Sequence, residues 1–411
     1  MKPITDEITK KNVDYIVDGI TEVIKTFDVR DAGSKGEADA QAHFAKILEN
    51  YADEVKVEKF KLRPDSFMGW IYFDITFILI ALVALWFNLN IVALLLCIAS
   101  LALCVLQLIF YKHVTSPFFP EKTSSNVYAV KKPTREVKRR IVFSGHTDAA
   151  FEWGWLNLGG FPLFATVVLS AFAALFAVMA IAIAGMFINE FSVGLILPSP
   201  YRTALIIITA FAAPAALLLV HFSNRKKVVD GANDNLTACL TALAVLKTMK
   251  DEDISFENTE VCALMSGSEE AGLRGAMAFA EAHKGEFDDV ETIFVVLETL
   301  REPEHLSIYQ KDMNGTVKVD ADVCRLIQKA GKEAIDREIP LATVTLGSTD
   351  AAAFTKAGLK SACFAALDHK LQPYYHTRKD SYDNLNKDCL ALCYKTCMKT
   401  LELFDRDGLN E

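Results

Sequence analysis

The stretch VCALMSGSEEAGLRG, residues 261–275, joins a short apolar run to two adjacent carboxylates, Glu269 and Glu270. Residues 261–265 are continuously apolar, a pattern typical of a strand buried on both faces of a parallel sheet. Residues 292–297 have the same character, and helical segments alternate with such strands through the C-terminal half. This alternation predicts an α/β fold.

The other hydrophilic segments extend the α/β pattern. Their apolar periodicity predicts helices at 7–26, 36–52 and 236–249, and strands at 54–61, 126–130 and 140–144. A Lys-Lys-Pro-Thr turn at residues 131–134 joins the last two strands and reverses the chain between them. We therefore expect one domain with a mixed, mostly parallel central sheet flanked by helices.

Four long apolar runs interrupt this domain in two pairs, 70–87 with 91–111 and 161–188 with 203–220. The run at 91–111 has 21 residues and no charge, and about 20 apolar residues in a helix are enough to cross a bilayer core. Pro214 is tolerated inside a membrane helix. We therefore predict two transmembrane helical hairpins, in preference to buried core helices.

The hairpins divide the sequence into five predicted parts. Residues 1–66, 114–158 and 223–411 form the hydrophilic domain, whereas residues 67–113 and 159–222 form the first and second hairpins. Because each hairpin returns the chain to its starting side, the hydrophilic parts and both termini are expected on one face of the membrane. Trp70, Trp153 and Trp155 flank the spans, as interfacial aromatic residues do.

The charges beside the hairpins predict which face this is. Among basic residues, the opposite loops carry only Arg202, whereas the face of the hydrophilic domain carries Lys56, Lys59, Lys61, Arg63, Lys112, Arg225, Lys226 and Lys227. The positive-inside bias therefore predicts an integral protein of the cell membrane with a cytoplasmic domain. Nine cysteines without a CxxC pattern also favour a reducing compartment. The net charge of −9 argues against a nucleic-acid partner.

Residues with metal-binding side chains follow the predicted strands, where open α/β sheets place their sites. The spacing of His146 and Asp148 suits a metal-ligating imidazole whose second nitrogen is held by a carboxylate. Glu269 and Glu270 point apart at a strand end, so one can bind a metal while the other takes a proton from water. Asp234 lies in a loop that opens a helix, where a carboxylate could bridge two cations.

Five motifs in order resemble the zinc-dependent exopeptidases that include bacterial leucyl aminopeptidases, glutamate carboxypeptidase and glutaminyl cyclase. They are GHTDA (145–149), GANDNLTA (231–238), SEEAGLRGA (268–276), STDAAAF (348–354) and YHTRKDSYDNL (375–385). A weaker match lies at VRDAGSKGEADAQ (29–41). The resemblance covers essentially all of the chain outside the hairpins.

The resemblance implies a site with two zinc ions. Asp234 would bridge them, His146 and Glu298 would complete the ligands of one ion, and Glu270 and His376 those of the other. Glu269 would be the general base that takes a proton from water and passes it to the leaving amine. Two further residues are assigned to catalysis: Asp148, and Tyr375 as an oxyanion donor, for which a purely structural role is equally open.

One position departs from the family's usual pattern. The peptidases of the family usually have Asp where this chain has Glu298, which weakens any choice between aminopeptidase and carboxypeptidase action. His369 is interpreted as a histidine at the rim of the site or on the surface rather than as a ligand.

The function that these observations favour is a membrane-anchored two-zinc exopeptidase, foremost an aminopeptidase. The alternatives are a carboxypeptidase or acyl-amide hydrolase of the same fold, a glutaminyl-cyclase-like transferase, and a silent receptor or scaffold. Because His146 precedes the third apolar run and Asp234 follows the fourth, we expect the site to open toward the bilayer. Its substrates would be peptides or acylated amines at the cytoplasmic membrane surface.

Overall fold

In the computed structural model of this protein, the structure describes residues 3–27, 29–188, 199–368 and 370–409, so His369 lies outside the described residues. The chain forms two compact units. The sheet unit comprises Met1–Pro64, Glu121–Phe151 and Lys227–Glu411, and the helical unit comprises Asp65–Pro120 and Glu152–Lys226. The four apolar runs therefore lie in the helical unit, and the predicted site residues lie in the sheet unit.

The sheet unit is built around a nine-stranded sheet, and a separate pair of strands is formed by β4 and β5. The strands are β1 (Glu54–Leu62), β2 (Lys122–Lys131), β3 (Arg139–His146), β4 (Phe151–Trp153), β5 (Ser223–Val228), β6 (Thr259–Ser266), β7 (Glu291–Leu300), β8 (Leu306–Asp312), β9 (Val317–Lys318), β10 (Leu341–Thr343) and β11 (Lys360–Ala366). Their order is β1-β2-β6-β3-β7-β11-β8-β10, and β9 pairs with β8.

Four parallel neighbours, β6, β3, β7 and β11, form the centre of this sheet. Antiparallel strands extend it on both sides, since β2 pairs with β6 and β8 pairs with β11. Every residue of β6 is buried, as its continuously apolar sequence predicts. The mixed, mostly parallel sheet is confirmed.

The turn at 131–134 reverses the chain as predicted, but the two strands that it joins are not neighbours. β2 runs antiparallel to β6, and β3 runs parallel to β6, so β6 lies between them. The insertion of a strand from later in the sequence places the end of β6 directly beside the end of β3.

Helices cover both faces of the sheet. They are α1 (Asp6–Thr26), α2 (Lys35–Leu48), α7 (Thr237–Asp251), α8 (Arg274–Ala282), α9 (Ala321–Ile335), α10 (Asp350–Lys356) and α11 (Lys387–Asp407). The prediction that α2 continues to residue 52 is wrong, because the chain turns after Leu48 and Asp53 N already donates to Val130 O of the sheet, at 2.8 Å.

Helix α7 is the central helix of the sheet unit. Residues 237–249 are all buried, because α7 is apolar on every side and packs against α1, α11, β3 and β7. Its burial fixes the loop that precedes it, which contains Asp234.

The helical unit contains four long apolar helices. They are α3 (Ser66–Trp86), α4 (Asn90–Cys104) continued by a π-helical turn (Val105–Ile109), α5 (Gly154–Ile188) and α6 (Ser199–Leu218). Each is long and apolar enough to cross a membrane. Gly159 and Gly160 have non-helical backbone angles, so a continuous helix starts after them, where the third predicted run begins.

Large apolar side chains remain exposed on these helices. Leu169, Phe187 and Ile207 are 66%, 77% and 64% exposed. Soluble proteins seldom leave such apolar surface in contact with water. The surface of the helical unit therefore has the chemistry that a lipid environment requires.

Candidate metal centre

The site lies at the carboxyl ends of the central parallel strands. His146 is the last residue of β3, Glu269 and Glu270 begin a short turn after β6, and Glu298 lies near the end of β7. Because β6, β3 and β7 are parallel neighbours, their carboxyl ends meet at one edge of the sheet. Asp234 from the loop before α7 and His376 from the loop after β11 complete the group. The structure thus brings together all five predicted ligands and Glu269.

Asp234 occupies the centre of this group. Its Oδ1 lies 3.2 Å from His146 Nε2, and its Oδ2 lies 3.1 Å from His376 Nε2. His376 Nε2 is also 3.2 Å from Glu270 Oε1. Each carboxylate oxygen of Asp234 therefore faces a different imidazole.

Ligand atoms fall into overlapping groups whose members lie within 4.8 Å of one another. One group holds His146, Asp234 and Glu298, and another holds Asp234, Glu270 and His376. A third joins His146 to Glu269 and Glu270. The first two groups share Asp234 and correspond to the two ligand sets that the resemblance implies.

The spacing and the donor types fit zinc. Two ligand atoms on one tetrahedral zinc ion are about 3.3 Å apart, given zinc–ligand distances of about 2.0 Å. The separations of 3.1 and 3.2 Å around Asp234 are close to this value. Imidazole nitrogens and carboxylate oxygens are both common zinc ligands.

The charge balance of the site also favours bound cations. The imidazoles of His146 and His376 lie within 4 Å of the carboxylates of Asp234, Glu269 and Glu270, so two imidazoles face three buried carboxylates. Burial raises the pKa of Glu269 well above its usual range, and nearby carboxylates add to the rise. Unpaired buried carboxylates are costly, and metal coordination removes that cost.

The pKa of His376 also reflects the excess of negative charge at the site. Burial lowers the pKa of His376, but the carboxylates of Glu270 and Asp234 outweigh it and raise that pKa to about 10. A metal ion bound between these groups would replace the proton on the imidazole, since a ligating histidine must be neutral.

Asp148 connects β3 to the turn after β6. Its carboxylate accepts hydrogen bonds from the backbone N–H groups of Glu269, at 2.9 Å, and Glu270, at 3.0 Å. Asp148 Oδ1 also lies 3.3 Å from His146 Nδ1. The sequence spacing predicted the histidine contact, whereas the contacts to the Glu269–Glu270 backbone emerge only from the fold.

Asn235 and Asp380 hold the loop of Asp234. Asp380 accepts hydrogen bonds from the backbone N–H groups of Asn233, at 2.8 Å, and Asp234, at 3.1 Å. The amide of Asn235 donates to Glu298 Oε2 at 3.2 Å, and the peptide bond between Asp234 and Asn235 is cis. Both residues lie in the quoted motifs, but sequence analysis assigned them no role.

Arg30 and Glu37, in the weakly matching stretch 29–41, hold the backbone segments that carry the site residues. Arg30 is buried and donates to the carbonyl oxygens of Thr147, at 2.9 Å, and Asp230, at 2.7 Å. Glu37 accepts hydrogen bonds from Ser268 N at 2.6 Å and from Gly33 N at 2.7 Å. Sequence analysis missed both residues. A signal for Glu37 exists, since serine three residues before glutamate at a helix start is a capping box.

Tyr375 stacks on His376, with ring centroids 4.2 Å apart and an interplanar angle of 11°. Burial raises the pKa of Tyr375 well above its usual range, and the nearby carboxylates add to the rise. The phenol is therefore protonated at neutral pH and able to donate a hydrogen bond.

Comparison with known families agrees with this geometry. Residues 213–401 match peptidase family M28, a segment that includes Asp234, Glu269, Glu270, Glu298 and His376. The matched segment is similar to this family and spans a little under half of the chain. No curated protein matches the chain.

Solved structures share the fold at low sequence identity. The zinc aminopeptidase BSAP from Bacillus subtilis has a TM-score of 0.55 at 12% identity, over 95% of this chain and 94% of that one. The aminopeptidase from Aneurinibacillus sp. strain AM-1 has a TM-score of 0.56 at 13% identity, over 96% and 95% of the two chains. The glutaminyl cyclase of Bacteroides thetaiotaomicron has a TM-score of 0.55 at 12% identity, over 94% and 96%. The M28 match over residues 213–401 supports a hydrolase of the metallo-exopeptidase class, and the solved structures show that the fold is shared.

Proposed function

We propose that this protein is a two-zinc exopeptidase, foremost an aminopeptidase, held in a membrane by the helical unit. The observation that carries the proposal is the position of Asp234, whose two carboxylate oxygens face two different imidazoles. A carboxylate in this position can bridge two cations. His146 with Glu298 would complete one ligand set, and Glu270 with His376 the other.

Bound zinc would polarise the scissile carbonyl and lower the pKa of water at the site. Glu269 is the proposed acceptor of the proton from the attacking water, and its position supports this, since its carboxylate lies 3.7 Å from His146 Nε2 and is not among the proposed metal ligands. Its raised pKa suits a base that must later release the proton to the leaving amine. The protonated phenol of Tyr375 is a candidate donor to the developing oxyanion.

The substitution Glu269→Gln tests this assignment. It keeps the size of the side chain and removes the base, so we expect zinc content to be retained and cleavage of unblocked aminoacyl peptides to fall by at least about 100-fold. Glu257→Gln is the matched control, since the side chain of Glu257 is 67% exposed and pairs only with exposed Arg135 among described residues. Unchanged cleavage by the Glu269→Gln variant would exclude Glu269 as the base.

The choice of terminus requires substrates blocked at one end. An aminopeptidase cleaves peptides with a free amino group and a blocked carboxyl group, whereas a carboxypeptidase needs the reverse. Peptides that begin with glutamine also test the transferase alternative, because a glutaminyl cyclase shares this fold. A cyclised product without loss of the first residue would favour the transferase.

The membrane part of the proposal rests on four helices long and apolar enough to span a bilayer and on their exposed apolar side chains. The positive charges beside the hairpins favour a cytoplasmic domain. Single cysteines at Leu89, in the turn between α3 and α4, and at Lys226 test this topology, because all nine native cysteines are buried. In intact cells we expect an impermeant maleimide to label Leu89→Cys and to label Lys226→Cys only after lysis. The opposite pattern would reverse the topology.

Substrate delivery at the membrane surface is the last part of the proposal. His146 ends β3 only a few residues before α5, and β5, which follows α6, leads directly into the loop of Asp234. Short connections of this kind favour a site near the bilayer. We expect a peptide with an alkyl chain on its blocked end to be cleaved more efficiently than its short analogue by the protein in lipid nanodiscs. Equal efficiency would remove this part of the proposal.

A further inference from the structure

A cavity of about 100 Å³ lies inside the helical unit. All four long helices or the segments that end them contribute to its wall, which is apolar apart from three residues. The three are Trp70 and Asp74, one turn apart on α3, and Ser100 on α4. Their exposed fractions are 8%, 7% and 1%, so each is more than nine-tenths buried.

Three polar atoms, one on each of these residues, have no partner at normal hydrogen-bond geometry in the described part of the chain, although the Ser100 hydroxyl faces the Asp74 carboxylate. They are Trp70 Nε1, Asp74 Oδ1 and Ser100 Oγ. By contrast, Trp86 Nε1 donates to Thr209 Oγ1 at 3.2 Å and Tyr201 OH donates to Asn90 Oδ1 at 2.8 Å within the same unit. Leaving a buried polar group without a partner is costly, and two of the three atoms, Asp74 Oδ1 and Ser100 Oγ, can accept a hydrogen bond, so they indicate a ligand that donates.

The chemistry of the wall selects the ligand class. No lysine, arginine or histidine is among the described residues that line the cavity, so Asp74 has no counter-charge there. A ligand with an ammonium group would supply the counter-charge to Asp74 and would donate hydrogen bonds to Asp74 Oδ1 and Ser100 Oγ. An indole is also a favourable neighbour for a cation. Apolar side chains such as Ile78, Phe172 and Leu175 suit a hydrocarbon chain on the same molecule.

We propose that this cavity binds a primary alkylammonium ion, with its ammonium group at Asp74 and Ser100 and its alkyl chain among the apolar residues. A cavity of this volume accommodates a short chain of a few carbons. An ionisable residue within an apolar helical bundle commonly marks a functional site. The proposal is independent of the metal centre and of the peptidase activity.

The test is isothermal titration of the full-length protein in zwitterionic nanodiscs with butylammonium chloride, and with empty nanodiscs as the blank. Sodium butyrate and 1-butanol have the same alkyl chain without the positive charge. We expect saturable binding of butylammonium, at least about tenfold weaker binding of butanol, and no binding of butyrate. The same result is expected after divalent metals are removed with a chelator.

Variants decide whether Asp74 is responsible. Asp74→Asn keeps the shape of the side chain and should weaken butylammonium binding at least about tenfold, whereas Ser100→Ala should weaken it less. Tyr72→Phe is the control, since Tyr72 lies on the same helix with 42% of its side chain exposed. Equal affinity for butanol and butylammonium, full affinity in Asp74→Asn, or no saturable binding of any of the three probes would overturn the proposal.

Discussion

The carboxylate of Asp148 accepts a hydrogen bond of 2.9 Å from the backbone N–H of Glu269. A residue just after β3 therefore fixes the turn that follows β6. The same carboxylate approaches the ring of His146, so one side chain holds both a proposed ligand and the proposed base. We therefore predict that Asp148 acts by positioning these two residues rather than by contact with the substrate.

Replacing Asp148 with Asn should lower kcat/KM about 10- to 100-fold, the range usual for groups that orient metal ligands. The N–H groups of Glu269 and Glu270 bond to different oxygens of Asp148, and an amide replaces one of these oxygens with an NH2 donor, so one of the two bonds is lost. Peptide cleavage and zinc affinity are the measurements, and Asp14→Asn, at an exposed ion pair with Lys387, is the control. Activity equal to that of the control variant would contradict the positioning role.

Replacing Arg30 with Lys should destabilise the sheet unit by about 1–3 kcal/mol. The guanidinium of Arg30 donates to the carbonyl oxygens of Thr147 and Asp230, and a single ammonium group cannot reproduce that geometry. Thermal unfolding of the two proteins measures the effect. Arg135→Lys, whose native side chain is 69% exposed, should unfold like the wild type. An equal loss in both variants would show that the Arg30 contacts are unimportant.

The pH dependence of stability should show a contribution from His283. Its ring nitrogens lie 2.9 Å from Glu58 Oε2 and 2.6 Å from Glu286 Oε2, and the hydrogen bond to Glu58 and then that to Glu286 raise its pKa despite burial. A raised pKa in the folded state means that the stabilisation is complete below the unfolded-state value of about 6.5 and is lost as the pH rises through the folded-state value.

The difference in Tm between wild type and His283→Gln should therefore be largest near pH 6 and should shrink toward pH 9. A difference that is constant across this range would show that the charged imidazole makes no contribution.

Removing single ligands should affect the two zinc ions unequally. Glu298 belongs to the group with His146, and Glu270 belongs to the group with His376. We expect the Glu298→Ala and Glu270→Ala variants each to bind about one zinc ion per chain with high affinity. The affinity for the second zinc ion should fall by about 10-fold or more. Zinc content after dialysis against a graded chelator is the measurement. Two tightly bound ions in both variants would refute the ligand assignment.

The central strands and the site residues could be predicted because local chemistry decides them. Continuous apolar runs define β6 and β7, and metal-binding side chains follow the strand ends within a few residues. Parallel strands then bring those ends to one edge. The position of Glu298 was predictable from the family resemblance, although the contact with Asn235 that holds it was not.

Long-range contacts explain what sequence analysis missed. Arg30 reaches carbonyl oxygens more than a hundred residues away, and Glu37 binds Ser268 across the sheet unit. Neither contact leaves a local pattern beyond the capping box at Glu37. The order of the strands could not be predicted for the same reason, since β6, which comes later in the sequence, lies between β2 and β3 in the sheet.

Diffraction at the zinc absorption edge tests the central claim most directly. Crystals of the zinc-loaded protein should show two anomalous peaks on either side of the Asp234 carboxylate, one next to His146 and Glu298 and the other next to Glu270 and His376. A single peak, or peaks away from Asp234, would contradict the two-zinc account.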